Sequence, residues 1–207
     1  MRYLSFPKLT AASNDTWTRP MITMNLPTTL TFIRIALIPL MMFFFYLDYT
    51  WAAFAAAATF GLAGITDWAD GYYARKLGLE SRFGAFLDPV ADKLIVVAAL
   101  MLVVEREAEF WITLAASIII GREIIISALR EWMAETGQRG KVAVAMLGKL
   151  KTTAQITALI FLLYNNTLWG LPLRQLGLVL LAVATALSLI SMLQYLKSAF
   201  ASPNSNA

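Results

Sequence analysis

Residues 65–93 run ITDWADGYYARKLGLESRFGAFLDPVADK, and the reading of this stretch decides the reading of the chain. Asp67 and Asp70 stand three positions apart, which on a helix places both carboxylates on one face. Asp88 and Asp92 stand four apart and share a face in the same way. Before Asp67 lies a run of small and apolar residues that includes Ala55, Ala56, Ala57, Ala58, Gly61 and Gly64, and after Lys93 apolar residues resume. The acids therefore close one hydrophobic helix and open the next, with a basic turn between them. Asp88 is expected to cap the later helix and Pro89 to take its first position, leaving Asp92 one turn further in. Two adjacent antiparallel helices joined by this turn would face four carboxylates toward one another at membrane depth, where ionised groups are costly.

The flanking sequence supports a membrane setting. The 207 residues are 59% hydrophobic and 14% charged, with mean hydropathy +0.65, more apolar and less charged than ordinary soluble domains. Six segments approach the roughly 20 residues that a spanning helix needs: about 29–47, 51–73, 89–105, 110–129, 150–165 and 170–195. The fold class expected is all-α, a polytopic membrane protein of six transmembrane helices. Arg75, Lys76, Arg82, Arg130, Arg139, Lys141, Lys149, Lys151 and Lys197 fall on one side of this arrangement with the N-terminal tail, and only Arg106 and Arg174 on the other. By the positive-inside rule both termini are cytoplasmic. Tyr46, Trp51, Trp111 and Trp169 then mark the opposite interface as an aromatic belt. Residues 1–23 read as a cytoplasmic tail, 24–198 as the membrane domain and 199–207 as a second short tail. The net charge of +4 fits cytoplasmic loops and anionic lipid heads, and no nucleic-acid partner is expected.

The chain has no cysteine and no histidine. Disulfides, thiolate nucleophiles, imidazole acid–base chemistry and zinc sites of the usual ligand types are thereby removed. Four carboxylates in a low-dielectric cleft repel one another, so a cation must sit among them. An oxygen-only donor set favours magnesium or manganese, and paired ions of this kind act on phosphates. The plainer alternative is that Arg75, Lys76, Arg82 and Lys93 neutralise the acids as structural salt bridges. Gly71 and Ala74, with almost no side chain, would let a phosphorylated ligand approach the backbone. A second cluster is cationic: Arg122 and Arg130, eight residues or about two turns apart and so on one face, with Lys149 and Lys151 where the fifth segment begins. If these helices pack against the aspartates, the four cations form a pocket for a phosphate-bearing acceptor.

The residues from Asp67 to Asp92 match D-x2-D-G-x2-A-R-x8-G-x3-D-x3-D at all eight fixed positions. This pattern resembles the signature of the CDP-alcohol phosphatidyltransferases. The likeness extends to Asn25-Leu26-Pro27-Thr28 and Arg34, to Arg122-Glu123-Ile124-Ile125-Ile126-Ser127 and to Gly148-Lys149-Leu150-Lys151-Thr152. The resemblance implies transfer of a phosphatidyl group from CDP-diacylglycerol to an alcohol in phospholipid biosynthesis. It further implies a homodimer in the cell inner membrane, among membrane lipids, with the active site open to the cytoplasm. It implies two ions, Mg2+ or Mn2+: Asp67 and Asp88 bridging both, Asp70 on the first, Asp92 on the second and accepting the proton. By the same likeness Asn25, Thr28, Gly71, Ala74, Arg75, Ser81 and Gly84 lie near the cytidine diphosphate. The cationic cluster then points to glycerol 3-phosphate as the acceptor, with inositol phosphate or serine as alternatives within the same chemistry. A cation or proton transporter is the rival from another class, since membrane acids also serve as ion relays. Transporters set such acids near the midplane on broken helices, whereas these cluster at one helix end beside a basic loop.

Overall fold

The computed structural model describes residues 26–77, 82–135 and 146–200, leaving the side chains of 26–28, 68–77, 82, 85, 134, 146, 147, 149 and 198–200 outside the description. Among the described residues there are six helices: α1 Leu26–Phe45, α2 Ala52–Leu77, α3 Arg82–Glu107, α4 Phe110–Glu135, α5 Met146–Tyr164 and α6 Leu173–Phe200. Helices of 19 to 28 residues are about 28–42 Å long, the scale of a bilayer. By length and composition α4 and α6 are apolar enough to cross a membrane, over Phe110–Met133 and Leu173–Lys197. Shorter apolar stretches occupy Thr29–Phe45, Ala52–Asp67 and Leu150–Tyr164. Large apolar side chains point outward on several helices, among them Phe54, Met101, Ile124 and Leu193. Such a coat is a liability in water and suits lipid.

The expected segments correspond to these helices, with one correction that matters for the site. α3 starts at Arg82, so Asp88 is not its N-cap and Pro89 lies inside the helix. Pro89 lacks the N–H that would reach the carbonyl of Ala85, so one rung of the ladder is missing there. Asp88 and Asp92 nevertheless share a face, since that depends on spacing alone. At the far end α6 runs on to Phe200. The N-terminal tail lies outside the described residues.

Small residues set the packing. Ala56 and Ala63 of α2 are buried; α2 packs along α1, while α5 and α6 form the other tight pair. At Gly177 a Cβ would sit 2.8 Å from Leu162 Cγ and 3.2 Å from the Ala158 carbonyl, so α6 needs glycine where it crosses α5. The core gathers Ala99, Leu100 and Val103 of α3, Ile119 of α4, Leu159, Leu162 and Leu163 of α5 and Leu181 of α6. Hydroxyls inside the helices are satisfied locally: Thr59 donates to the Ala55 carbonyl, Ser127 to Glu123 and Thr185 to Leu181. A medium without water requires this of its polar groups. The α5–α6 connection is a small hairpin, Thr167–Leu168 paired with Leu171–Pro172. Trp169 and Gly170 turn it at φ 50° and 80°, the positive values that a two-residue hairpin loop demands. Trp169 stands 93% exposed at its tip.

Candidate active site

α1 packs along both α2 and α3, whereas α2 and α3 meet over a much shorter stretch. The acids of the two helices nevertheless face one another directly, as the sequence had suggested, with α1 packed beside both. Asp67, Asp88 and Asp92 each offer a carboxylate oxygen within 4.8 Å of the others. Arg34 of α1 lies among them, its side chain only 1% exposed. Its Nη1 donates to Asp88 Oδ1 at 2.8 Å and to Asp92 Oδ1, and its Nη2 is 3.2 Å from Asp67 Oδ1. All three contacts fall on one oxygen of each carboxylate. One guanidinium thus faces three acids, and the charge is not balanced within the described residues. The aspartates keep 41–45% of their side chains exposed, so a cation can reach them.

These residues fit a divalent metal. The spacing is that of carboxylates sharing an ion, the donors are all hard oxygen, and one arginine leaves negative charge uncompensated. Asp70 belongs to α2 one turn beyond Asp67, but its side chain lies outside the described residues. The same holds for the side chains of Thr28, Gly71, Ala74 and Arg75, while Asn25 and Ser81 lie outside altogether. Gly84 is buried in the first turn of α3. Of the cations in the salt-bridge alternative, the side chains of Arg75, Lys76 and Arg82 lie outside the described residues and Lys93 forms no ion pair with the described acids; Arg34 is the cation seen to contact them.

The cationic cluster is partly assembled. Glu123 Oε1 accepts from Arg122 Nη1 at 2.7 Å and from Lys151 Nζ at 2.5 Å. Arg122 also donates to Ser191 of α6 at 3.0 Å, and both cations are buried. Arg130 faces α6 as well, donating to the Tyr195 hydroxyl at 2.9 Å with its guanidinium over the ring. It is thus tied to α6, and the Lys149 side chain lies outside the described residues. Two cavities connect the acids with the cations. One, of about 130 Å³, is lined by Arg34, Asp67, Asp92 and Gln155. The other, of about 240 Å³, is lined by Asp92, Lys93, Glu123, Lys151 and Gln155. Asp92 belongs to both.

Three residues of this arrangement were not singled out from sequence as site residues: Arg34, Glu123 and Gln155. Arg34 carried a usable signal, being the one charge in the apolar segment 29–47. Glu123 gave little, because an acid beside Arg122 reads as a local pair. Gln155 stands four residues after Lys151 and so on its face of α5, a signal visible only once Lys151 itself is known to face a cavity.

The model of the family described as CDP-alcohol phosphatidyltransferase matches residues 24–190. Proteins named CDP-diacylglycerol–glycerol-3-phosphate 3-phosphatidyltransferase from Shigella flexneri serotype 5b and Escherichia coli K12 are each 53% identical to the chain over 175 residues, 84% of this chain and 94% of theirs. With most of its length matched and three of the four signature aspartates gathered in space, this chain belongs to the CDP-alcohol phosphatidyltransferase family.

Proposed function

We propose that this chain transfers the phosphatidyl group of CDP-diacylglycerol to the free primary hydroxyl of sn-glycerol 3-phosphate, giving phosphatidylglycerophosphate and CMP. The observation that carries the reading is the double membership of Asp92, which lines both the aspartate cavity and the cavity holding Lys151 and Glu123. A group that touches both cavities can take a proton from an acceptor anchored on the cations while the donor's phosphates lie at the acids. The identity with relatives named for this reaction supports the same acceptor.

Asp67, Asp70, Asp88 and Asp92 are the residues to hold two divalent ions, Mg2+ or Mn2+, which when bound would offset the charge of the diphosphate and of the departing CMP. Arg34 keeps three of these carboxylates gathered. Asn25, Thr28, Gly71, Ala74, Arg75, Ser81 and Gly84 flank the nucleotide. Lys151 and Arg122, with Lys149 and Arg130 nearby in sequence, bind the acceptor phosphate; Glu123 holds the first two in place. Asp92 accepts the hydroxyl proton, and the freed oxygen attacks the phosphorus that carries diacylglycerol. A new P–O bond forms to the acceptor as the P–O bond to CMP breaks. The apolar helices and the distribution of basic residues support six spans with both termini and the active site on the cytoplasmic side of the inner membrane. The membrane domain occupies 24–198 between two short tails, and the enzyme works as a homodimer.

The test is an acceptor screen with the purified full-length protein and CDP-diacylglycerol, following CMP release and lipid product together. Turnover with glycerol 3-phosphate above serine, inositol and inositol phosphate is expected. Preference for an acceptor without phosphate would replace the acceptor assignment, and absence of any CMP release would return the transporter reading.

A further inference from the structure

Four residues line both cavities: Asp92, Val96, Thr152 and Gln155. Their polar atoms are unequally satisfied. Asp92 is held by Arg34, and the Thr152 hydroxyl donates to the Gly148 carbonyl of its own helix at 2.9 Å. Val96 has no polar side-chain atom. Gln155 is 5% exposed, and its Oε1 is buried without a hydrogen-bond partner. A buried amide oxygen left unpaired costs free energy, and native proteins rarely keep one without a use. Gln155 follows Lys151 by one turn on the same face of α5, a rise of about 6 Å. That is the scale of a three-carbon phosphoester reaching from a phosphate on Lys151 toward Asp92.

We infer that Gln155 is a specificity residue for the acceptor: its amide oxygen accepts a hydrogen bond from the acceptor hydroxyl that does not react. This rests on the acceptor reading above. A phosphorylated polyol has its phosphate at Lys151 and Arg122 and its attacking hydroxyl at Asp92. The secondary hydroxyl of glycerol 3-phosphate lies between these two, where Gln155 offers a buried amide oxygen without a partner. An acceptor lacking that hydroxyl leaves Gln155 unpaired in the complex, and a site built around a substrate hydroxyl discriminates strongly against its absence.

The experiment compares glycerol 3-phosphate with 3-hydroxypropyl phosphate, which is the same acceptor without the secondary hydroxyl. Full-length wild type, Gln155→Met and Gln155→Glu are assayed with CDP-diacylglycerol. Wild type is expected to favour glycerol 3-phosphate in kcat/KM by about 10- to 100-fold, the range for one hydrogen bond to a buried polar group. Gln155→Met should bring glycerol 3-phosphate down to the level of the analogue while leaving the analogue within about threefold of its wild-type value. Gln155→Glu, which keeps an acceptor oxygen, should keep most of the discrimination and decides the matter if the methionine variant fails to fold. Undiminished discrimination in Gln155→Met, equal losses with both acceptors, or lost discrimination in Gln155→Glu overturns the assignment. Wild type that uses the two phosphates equally overturns it alone. Wild type inert with both, yet active with serine or inositol, overturns the acceptor reading and this inference with it.

Discussion

The two ends of the helix bundle handle charge in opposite ways. At the end bearing Glu105 to Glu109, the charged groups of that segment are each tied to a neighbouring side chain or carbonyl. The Tyr46 hydroxyl donates to Glu105 at 2.5 Å, and Arg174 makes a forked contact with Glu107, with Glu109 at 3.6 Å. Arg106 donates to the Leu162 and Leu163 carbonyls at the C-terminus of α5 and lies 4.1 Å over the Phe45 ring. Those carbonyls have no intrahelical donor, so the arginine caps α5. At the other end three acids share Arg34, and two buried cations share Glu123. Each cluster carries excess charge, of opposite sign, and the cavities join them. Paired groups of the first kind hold helices together; unpaired charge of the second kind keeps its binding capacity for a ligand.

The comparison breaks first, if it is wrong, at the aspartates. Asp67→Asn or Asp88→Asn removes a ligand from an acid cluster that is already short of cations, and phosphatidyl transfer should fall by at least about 100-fold. CMP release from purified variants measures this; near-wild-type rates, or full activity in excess chelator, would show the cluster to be structural.

Arg34→Gln comes next. Removing a buried ion-pair partner costs about 3–5 kcal/mol when both groups are dry, but the exposed aspartates reduce this to roughly 1–2 kcal/mol. For a chain of this length that is a fall in thermal midpoint of about 2–8 °C. It should be seen in chelator and recovered in part by added divalent cation, because the ions take over the neutralisation. An equal fall with and without the cation would make Arg34 a packing residue indifferent to the site.

At the cationic cluster the effect is smaller and more selective. Arg122→Ala and Lys149→Ala should raise KM for glycerol 3-phosphate about tenfold, while KM for CDP-diacylglycerol changes by no more than about twofold. Initial-rate kinetics with each substrate varied in turn separate the two; an unchanged KM for glycerol 3-phosphate removes these residues from the acceptor site.

The smallest effect belongs to the end that carries Arg174. Arg174→Gln loosens a pair between half-exposed Arg174 and buried Glu107, neither of which lines the aspartate or Lys151 cavity, and should leave turnover within about twofold of wild type. A large loss there would mean that the two ends are coupled and that the contrast drawn from their charge pairing is false.

The sequence alone determined the local terms of this protein. The apolar segments are long enough to be helices in lipid, and the spacings 67–70 and 88–92 put the acids on helix faces by the geometry of the turn alone. The absence of cysteine and histidine restricted the chemistry to oxygen and nitrogen donors that suit hard ions and phosphates. Those readings survive whichever way the helices pack. Even the misplaced start of α3 did not disturb them, because helix faces follow spacing and not end points.

Only the tertiary structure decided which groups meet. Arg34 lies 54 and 58 residues from Asp88 and Asp92, and Lys151 lies 28 from Glu123. Helical periodicity says that a residue faces inward but not which helix it faces. The partner is fixed by how closely α1 can lie against α2 and α3, and α6 against α5, which depends on small residues such as Gly177 at the α5–α6 crossing and on the summed packing of the core. The same packing leaves Gln155 beside Asp92 with an oxygen unpaired, since only the assembled helices determine whether a buried polar group finds a partner.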